Sequence, residues 1–176
     1  MNDIAVTVVG PDRPGIIADV SAALAGLGLN LTDSTMTLLR GHFAMMLVCS
    51  PGPTAEADGD AVARALRPLT DSGHLIATAR TLDDEPPAET GGSPYTLVVH
   101  GADRLGIVAA MTAALARAGG NITDLTTRLA GTLYLLTAEV DLPAAADADA
   151  VRTDLAEQAA RLGVTVSLTA AEADML

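Results

Sequence analysis

Residues 10–33 and 101–124 repeat one another at an offset of 91 without a gap: GPDRPGIIADVSAALAGLGLNLTD against GADRLGIVAAMTAALARAGGNITD. Fourteen of these 24 positions are identical, and alanine richness alone does not produce the shared DR-x-GI and N-x-TD frames. Self-similarity of this kind means two copies of one supersecondary unit in tandem. Between the copies, Asp83–Pro94 reads DDEPPAETGGSP, acids, prolines and glycines with a single Ala, the composition of an exposed linker. The expected division is a first domain over 1–82, a linker over 83–94 and a second domain over 95–176.

Each half presents the same order of elements. Ile4–Val9 is short, apolar and β-branched, a buried strand. Ile17, Val20, Leu24 and Leu27 recur at helical spacing, with Gly28 as the stop. Two strands follow, Leu29–Leu39 and Phe43–Cys49, joined around Arg40-Gly41-His42 as a hairpin. Val62, Leu66 and Leu69 give a second helix closed by Ser72-Gly73, and Leu75–Leu82 is the last strand. The second half repeats this: strand Tyr95–His100, a helix carrying Val108, Met111 and Leu115, and strands Asn121–Leu129 and Leu133–Val140 around Gly131. A helix with Val151, Leu155, Ala159 and Leu162 and strand Val164–Thr169 complete it. The predicted fold class is α+β: two tandem ferredoxin-like βαββαβ domains, each a four-stranded antiparallel sheet with two helices on one face.

Composition narrows what such a chain does. Phe43, Tyr95 and Tyr134 are the only aromatic residues, and the net charge is −12 with ten Arg and no Lys. A base-stacking RNA platform needs exposed aromatics, and nucleic-acid affinity needs cations. Neither requirement is met, no helix-turn-helix is visible, and an anionic membrane surface is disfavoured by the same charge. Cys49 is the single cysteine, which excludes an internal disulfide and a CxxC metal site. It lies in the apolar run Phe43–Cys49, too short to cross a bilayer, and reads as a small buried hydrophobe. Met1-Asn2-Asp3 opens no secretory signal, so a cytoplasmic protein is expected. The three histidines, His42, His74 and His100, do not recur at equivalent positions. With no repeated nucleophile or acid–base pair, the chain is expected not to be an enzyme and to need no metal or cofactor.

What recurs is the loop after the first strand and the turn entering the second. GPDRPGI followed by N-x-TD resembles an ACT domain, the regulatory amino-acid-binding module, over nearly the whole chain. Two such modules with nothing attached resemble the family of glycine cleavage system transcriptional repressors. In that family an amino acid lies at an interface between domains, against the first loop and helix start and near the polar residue opening the second strand. The resemblance implicates Asp12, Arg13, Pro14, Gly15, Ile16 and Asn30 in the first unit. Asp103, Arg104, Leu105, Gly106, Ile107 and Asn121 match in the second, which departs at Ala102 and Leu105 where the first unit has Pro11 and Pro14.

Elementary chemistry agrees. Gly15 and Gly106 admit close approach where first-turn amides lack intrahelical partners, a cradle for a carboxylate. Asn30 or Asn121 supplies an acceptor for an ammonium group. Structural roles compete at each position: Asp12 and Asp103 as helix caps or turn residues, Arg13 and Arg104 paired with an acid, Asn30 and Asn121 as left-handed turn residues. The expected ligand is a small or branched apolar amino acid such as glycine, serine or valine, because the surround is Gly-rich and free of aromatic or charged partners. A homodimer or larger oligomer is expected, since units of about 80 residues have little stability to spare, and a protein partner would carry the regulation of amino-acid metabolism or transcription. The competing class is an assembly protein whose ligand sites are vestigial.

Overall fold

The computed structural model describes residues 2–53, 55, 57–71, 73–82 and 92–171, in two compact units divided at Pro86/Pro87. The first unit runs β1 (Ile4–Pro11), α1 (Ile16–Gly26), β2 (Leu29–Leu39), β3 (His42–Pro51), α2 (Gly59–Thr70) and β4 (Ile76–Thr81). The second runs β5 (Gly92–Ala102), α3 (Ile107–Arg117), β6 (Asn121–Ala130), β7 (Leu133–Pro143), α4 (Ala148–Leu162) and β8 (Val164–Ala170). Both sheets are four-stranded, in the orders β2-β3-β1-β4 and β6-β7-β5-β8, and every pairing is antiparallel. This is the βαββαβ ferredoxin-like architecture, present twice.

Of the segment expected to be linker, 83–91 lie outside the described residues. Gly92–Pro94 are the opening of β5, paired with Pro143, Leu142 and Asp141. Backbone pairing to a neighbouring strand gives this polar stretch an extended state that its composition does not announce.

The core of each unit lies between one sheet face and its two helices. Ile4, Val6 and Val8 alternate inward on β1, against Leu47 and Cys49 of β3 and Val20 and Leu24 of α1. Their counterparts are Leu97 and Val99 of β5, Leu136, Ala138 and Val140 of β7, and Met111 and Leu115 of α3. Each of the buried Val, Leu, Ile and Met side chains contributes roughly 1.5–3 kcal/mol. The helix face differs by one residue from the sequence reading. Ile16 and Ile107 are buried at 2% exposure, while Ile17 and Val108 remain 44% and 36% exposed. Ile16, Val20 and Leu24 form an unbroken i, i+4, i+8 stripe, which fills the sheet face better than a stripe begun at Ile17. Met45 is core and Met46 is half exposed on the far side of the sheet. Burial pushes the Cys49 thiol up from its ordinary range, as befits an inert packing group.

Both N-x-TD frames fold into a β-bulge. Register shifts between Leu31 and Asp33 and, in the second unit, between Ile122 and Asp124. Thr32 is the extra residue, and its Oγ1 donates to the Val48 carbonyl at 3.1 Å. The bulge inverts the alternation of β2, so that Asn30, opposite Ser50, and Asp33, opposite Val48, emerge on the same face.

Candidate functional site

Strand β1 ends at Pro11 opposite His42, and the next amide, that of Asp12, donates to the Gly41 carbonyl at 2.9 Å. This bond ties the loop to the β2–β3 hairpin, whose turn residues Arg40 and Gly41 both take positive φ, 49° and 80°. Arg13 turns back over the loop: its guanidinium donates to Asp19 Oδ2 at 2.8 Å and to the Pro14 carbonyl at 3.1 Å. Both partners of the ion pair are nearly half exposed, so the pair orients the loop more than it stabilises the fold.

Gly15 caps α1 in the left-handed conformation, φ 88° and ψ −2°, and no side chain caps the helix. Its carbonyl takes the first intrahelical bond, from the Asp19 amide at 2.9 Å. The amides at the start of α1 are therefore left without a side-chain acceptor, at the positive end of the helix dipole. Asp12 is not the cap, which removes that competing role from it. A pocket of about 150 Å³ opens here. It is lined by Asp12, Arg13 and Gly15 of the loop, by Ile16–Ala18 of the helix, and by Met36 of β2 and Phe43 of β3. Because the Ile16 side chain is in the core, only its backbone remains to meet a ligand. Pockets for drug-sized molecules span about 300–1,000 Å³; this one is scaled to something smaller.

The second unit reproduces the backbone. Gly106 caps α3 at φ 92° and ψ 3°, again without a side-chain cap, and its carbonyl accepts from the Ala110 amide at 2.9 Å. Replacing the two prolines by Ala102 and Leu105 thus leaves the entry to the helix unchanged. Its side chains differ. Leu105 is fully exposed. The position equivalent to Asp19 is Ala110, and among the described residues Arg104 makes no ion pair.

Asn30 and Asn121 lie elsewhere. Strand β2 runs in the same direction as β1, both being antiparallel to β3. Asn30, opposite Ser50, is therefore beside the start of β1, whereas the Asp12–Gly15 loop follows its end. Seven residues of strand separate these two ends, roughly 20 Å at about 3.3 Å per residue. Asn121, opposite Asp141, sits at the matching end of the second sheet. The expectation that loop and asparagine offer both polarities within a few ångströms is not met inside one unit, because the helix between them returns the chain to where β1 began. Asp12, Arg13, Gly15 and Ile16 are brought together; Pro14 is beside them, outside the pocket lining. Sequence reasoning missed Met36 and Phe43 as lining residues and Asp19 as the partner of Arg13, and its expectation of a surround free of aromatic and charged partners is not met, since Phe43, Asp12 and Arg13 line the pocket. Only Phe43 left a trace, in its alignment with Tyr134 at the repeat offset.

Among the described residues no polar or charged side chain is buried, and no group of three or more His, Cys, Asp or Glu is placed to hold a metal ion. No helix among them is long and apolar enough to cross a membrane.

The ACT domain model matches the chain twice, over residues 2–75 and 96–169. The chain belongs to the ACT domain family. One ACT module lies in each unit. A protein of unknown function from Galdieria sulphuraria is 32% identical, with a TM-score of 0.79 over 97% of this chain and 98% of that one. A protein named for transcriptional repression of the glycine cleavage system shares the fold at 18% identity, with a TM-score of 0.63 over 96% of both chains. Among curated relatives, a UPF0237 protein of Streptococcus mutans is 56% identical over 45 residues, 26% of this chain and 51% of the relative. A UPF0237 protein of Methanopyrus kandleri is 46% identical over 48 residues, 27% of this chain and 53% of the relative. The chain spans about half the length of the curated relatives it matches.

Proposed function

We propose that this tandem ACT protein is a non-catalytic sensor of a small free amino acid, and that ligand occupancy regulates a protein partner in amino-acid metabolism or its transcriptional control. The observation that carries the reading is the uncapped, glycine-initiated start of α1 opening on a pocket of about 150 Å³. The ligand carboxylate meets the first-turn amides and the dipole, an interaction of about 0.3–2 kcal/mol. Asp12, which lines the pocket, accepts from the ligand ammonium, and Met36 and Phe43 close on its side chain. Asn30 enters such a site only when another copy of the chain brings its strand-opening end to the loop. Glycine, serine and valine are the ligands of suitable size and polarity. The best tiny ligands gain about 1.5 kcal/mol per heavy atom, so glycine binds no tighter than low micromolar.

Titration calorimetry and thermal shift against the common amino acids test this. Glycine, serine or valine is expected to raise the melting temperature, and Asp12→Ala to weaken binding by about 1.5–3 kcal/mol, the worth of a charge-assisted hydrogen bond. Stabilisation by aromatic or charged amino acids alone, or by none, overturns it.

A further inference from the structure

The sheet face of the first unit that turns away from the helices carries exposed aliphatic side chains among its threonines, Thr7, Thr35, Thr37 and Thr78. Antiparallel sheets with one solvated side ordinarily alternate apolar-in and polar-out. Here Val9, Met46 and Ile76 are exposed on that side by 40%, 49% and 68%. Across it, the pairings Asp33↔Val48, Val48↔Ala5 and Ala5↔Arg80 place four residues in one row. The row carries a carboxylate at the β2 edge, a guanidinium at the β4 edge and small aliphatic side chains between. Among the described residues neither Asp33 nor Arg80 forms an ion pair.

We propose that this face is a homodimer interface in which two copies of the chain pack sheet on sheet about a two-fold axis parallel to the strands. Such an axis preserves each row and reverses the order of strands, so β2 of one copy faces β4 of the other. Asp33 then lies over Arg80 of the second copy, Arg80 over its Asp33, and Val48 over Ala5. An isologous contact demands this self-complementarity. Sheets packed face to face lie about 10 Å apart with strands aligned to within about 30°, a gap that the Met46 and Ile76 side chains fill. A hollow of about 260 Å³ beside Asp33, lined by Thr35, Met46 and Val48, receives the incoming arginine stem.

The equivalent face of the second unit lacks this property. Its corresponding row is Asp124, Glu139, Thr96 and Thr169, with two carboxylates at one edge and no cation at the other. The same two-fold lays those acids over threonines. Only one of the two homologous faces therefore carries the self-complementary row, whether or not an amino acid is bound.

The test is the dimer dissociation constant of the full chain, measured by sedimentation equilibrium for wild type, Asp33→Arg, Arg80→Asp, the double exchange, and Asp124→Arg. Each single reversal turns both symmetry-related ion pairs into like-charge pairs and should weaken the dimer roughly 10- to 100-fold. The double exchange restores the pairs and should return to within about twofold of wild type. Asp124→Arg should leave the constant unchanged. Unchanged circular dichroism and melting certify that the exposed substitutions leave the fold intact. A monomeric wild type overturns the proposal. So do single reversals without effect, a double exchange no better than the singles, or Asp124→Arg weakening the dimer as much as Asp33→Arg. Amino-acid-induced melting shifts on the same samples report separately on ligand binding.

Discussion

Replacing Gly15 or Gly106 by alanine isolates the backbone strain on which the loop depends. At Gly15 an added Cβ would meet only Arg13 Nη1 at 3.8 Å, and at Gly106 nothing within 4 Å. Sterics beyond the residue itself therefore contribute nothing, and the cost is that of holding an L-residue at φ 88° or 92°, about 1–2 kcal/mol. For a unit of this size each kcal/mol lowers the melting temperature by about 4–8 °C, so either variant should melt roughly 4–15 °C lower. Gly10→Ala provides the contrast. Its Cβ would overlap the His74 carbonyl oxygen and stand 2.7 Å from Leu75 Cδ2, so backbone must move and the loss should exceed that at Gly15. Differential scanning calorimetry on the three variants supplies the comparison. Gly15→Ala as stable as wild type would refute the left-handed helix entry, and a Gly15 loss larger than the Gly10 loss would refute the division into strain and steric overlap.

Asp147 caps α4, its carboxylate accepting from the Asp149 and Ala150 amides at 3.0 and 3.3 Å; Asp147→Ala should cost about 0.5–2 kcal/mol in urea unfolding. Asp154 is held below its ordinary pKa of 3.8 by hydrogen bonds from Gln158 and then Arg117. A folded pKa below the unfolded one gives stability that is present above pH 3.8 and is lost as pH falls through the folded value. Asp154→Asn should therefore flatten the decline in melting temperature on the acid side of that value, and an unaltered acid limb would refute the assignment. Leu24→Ala, at a fully buried site between α1 and the sheet, should cost about 2–5 kcal/mol by the same urea measurement.

The duplication was written in residues 10–33 and 101–124, and with it the order of elements, because a repeat and its hydrophobic periodicity are local properties of the chain. The DR-x-GI frame was legible for the same reason: Gly15 and Gly106 are where a strand must turn into a helix, and only the glycine conformation makes that turn cheap. Tertiary structure decided what depends on partners distant in sequence. Ile16 and Ile17 are both apolar and adjacent, so only the sheet beneath α1 determined which is buried. The N-x-TD frame read as a ligand motif, yet cross-strand register made it a bulge with Thr32 bonded to Val48. Asn30 and the Asp12–Gly15 loop are neighbours across one helix in the chain, but β1 and β2 run in the same direction, which sets them at opposite ends of the sheet. The row from Asp33 to Arg80 joins four strands, with members as far apart in sequence as Ala5 and Arg80, and no periodicity along the chain encodes it, since strand register is fixed by the pairing of backbones and not by any one of them.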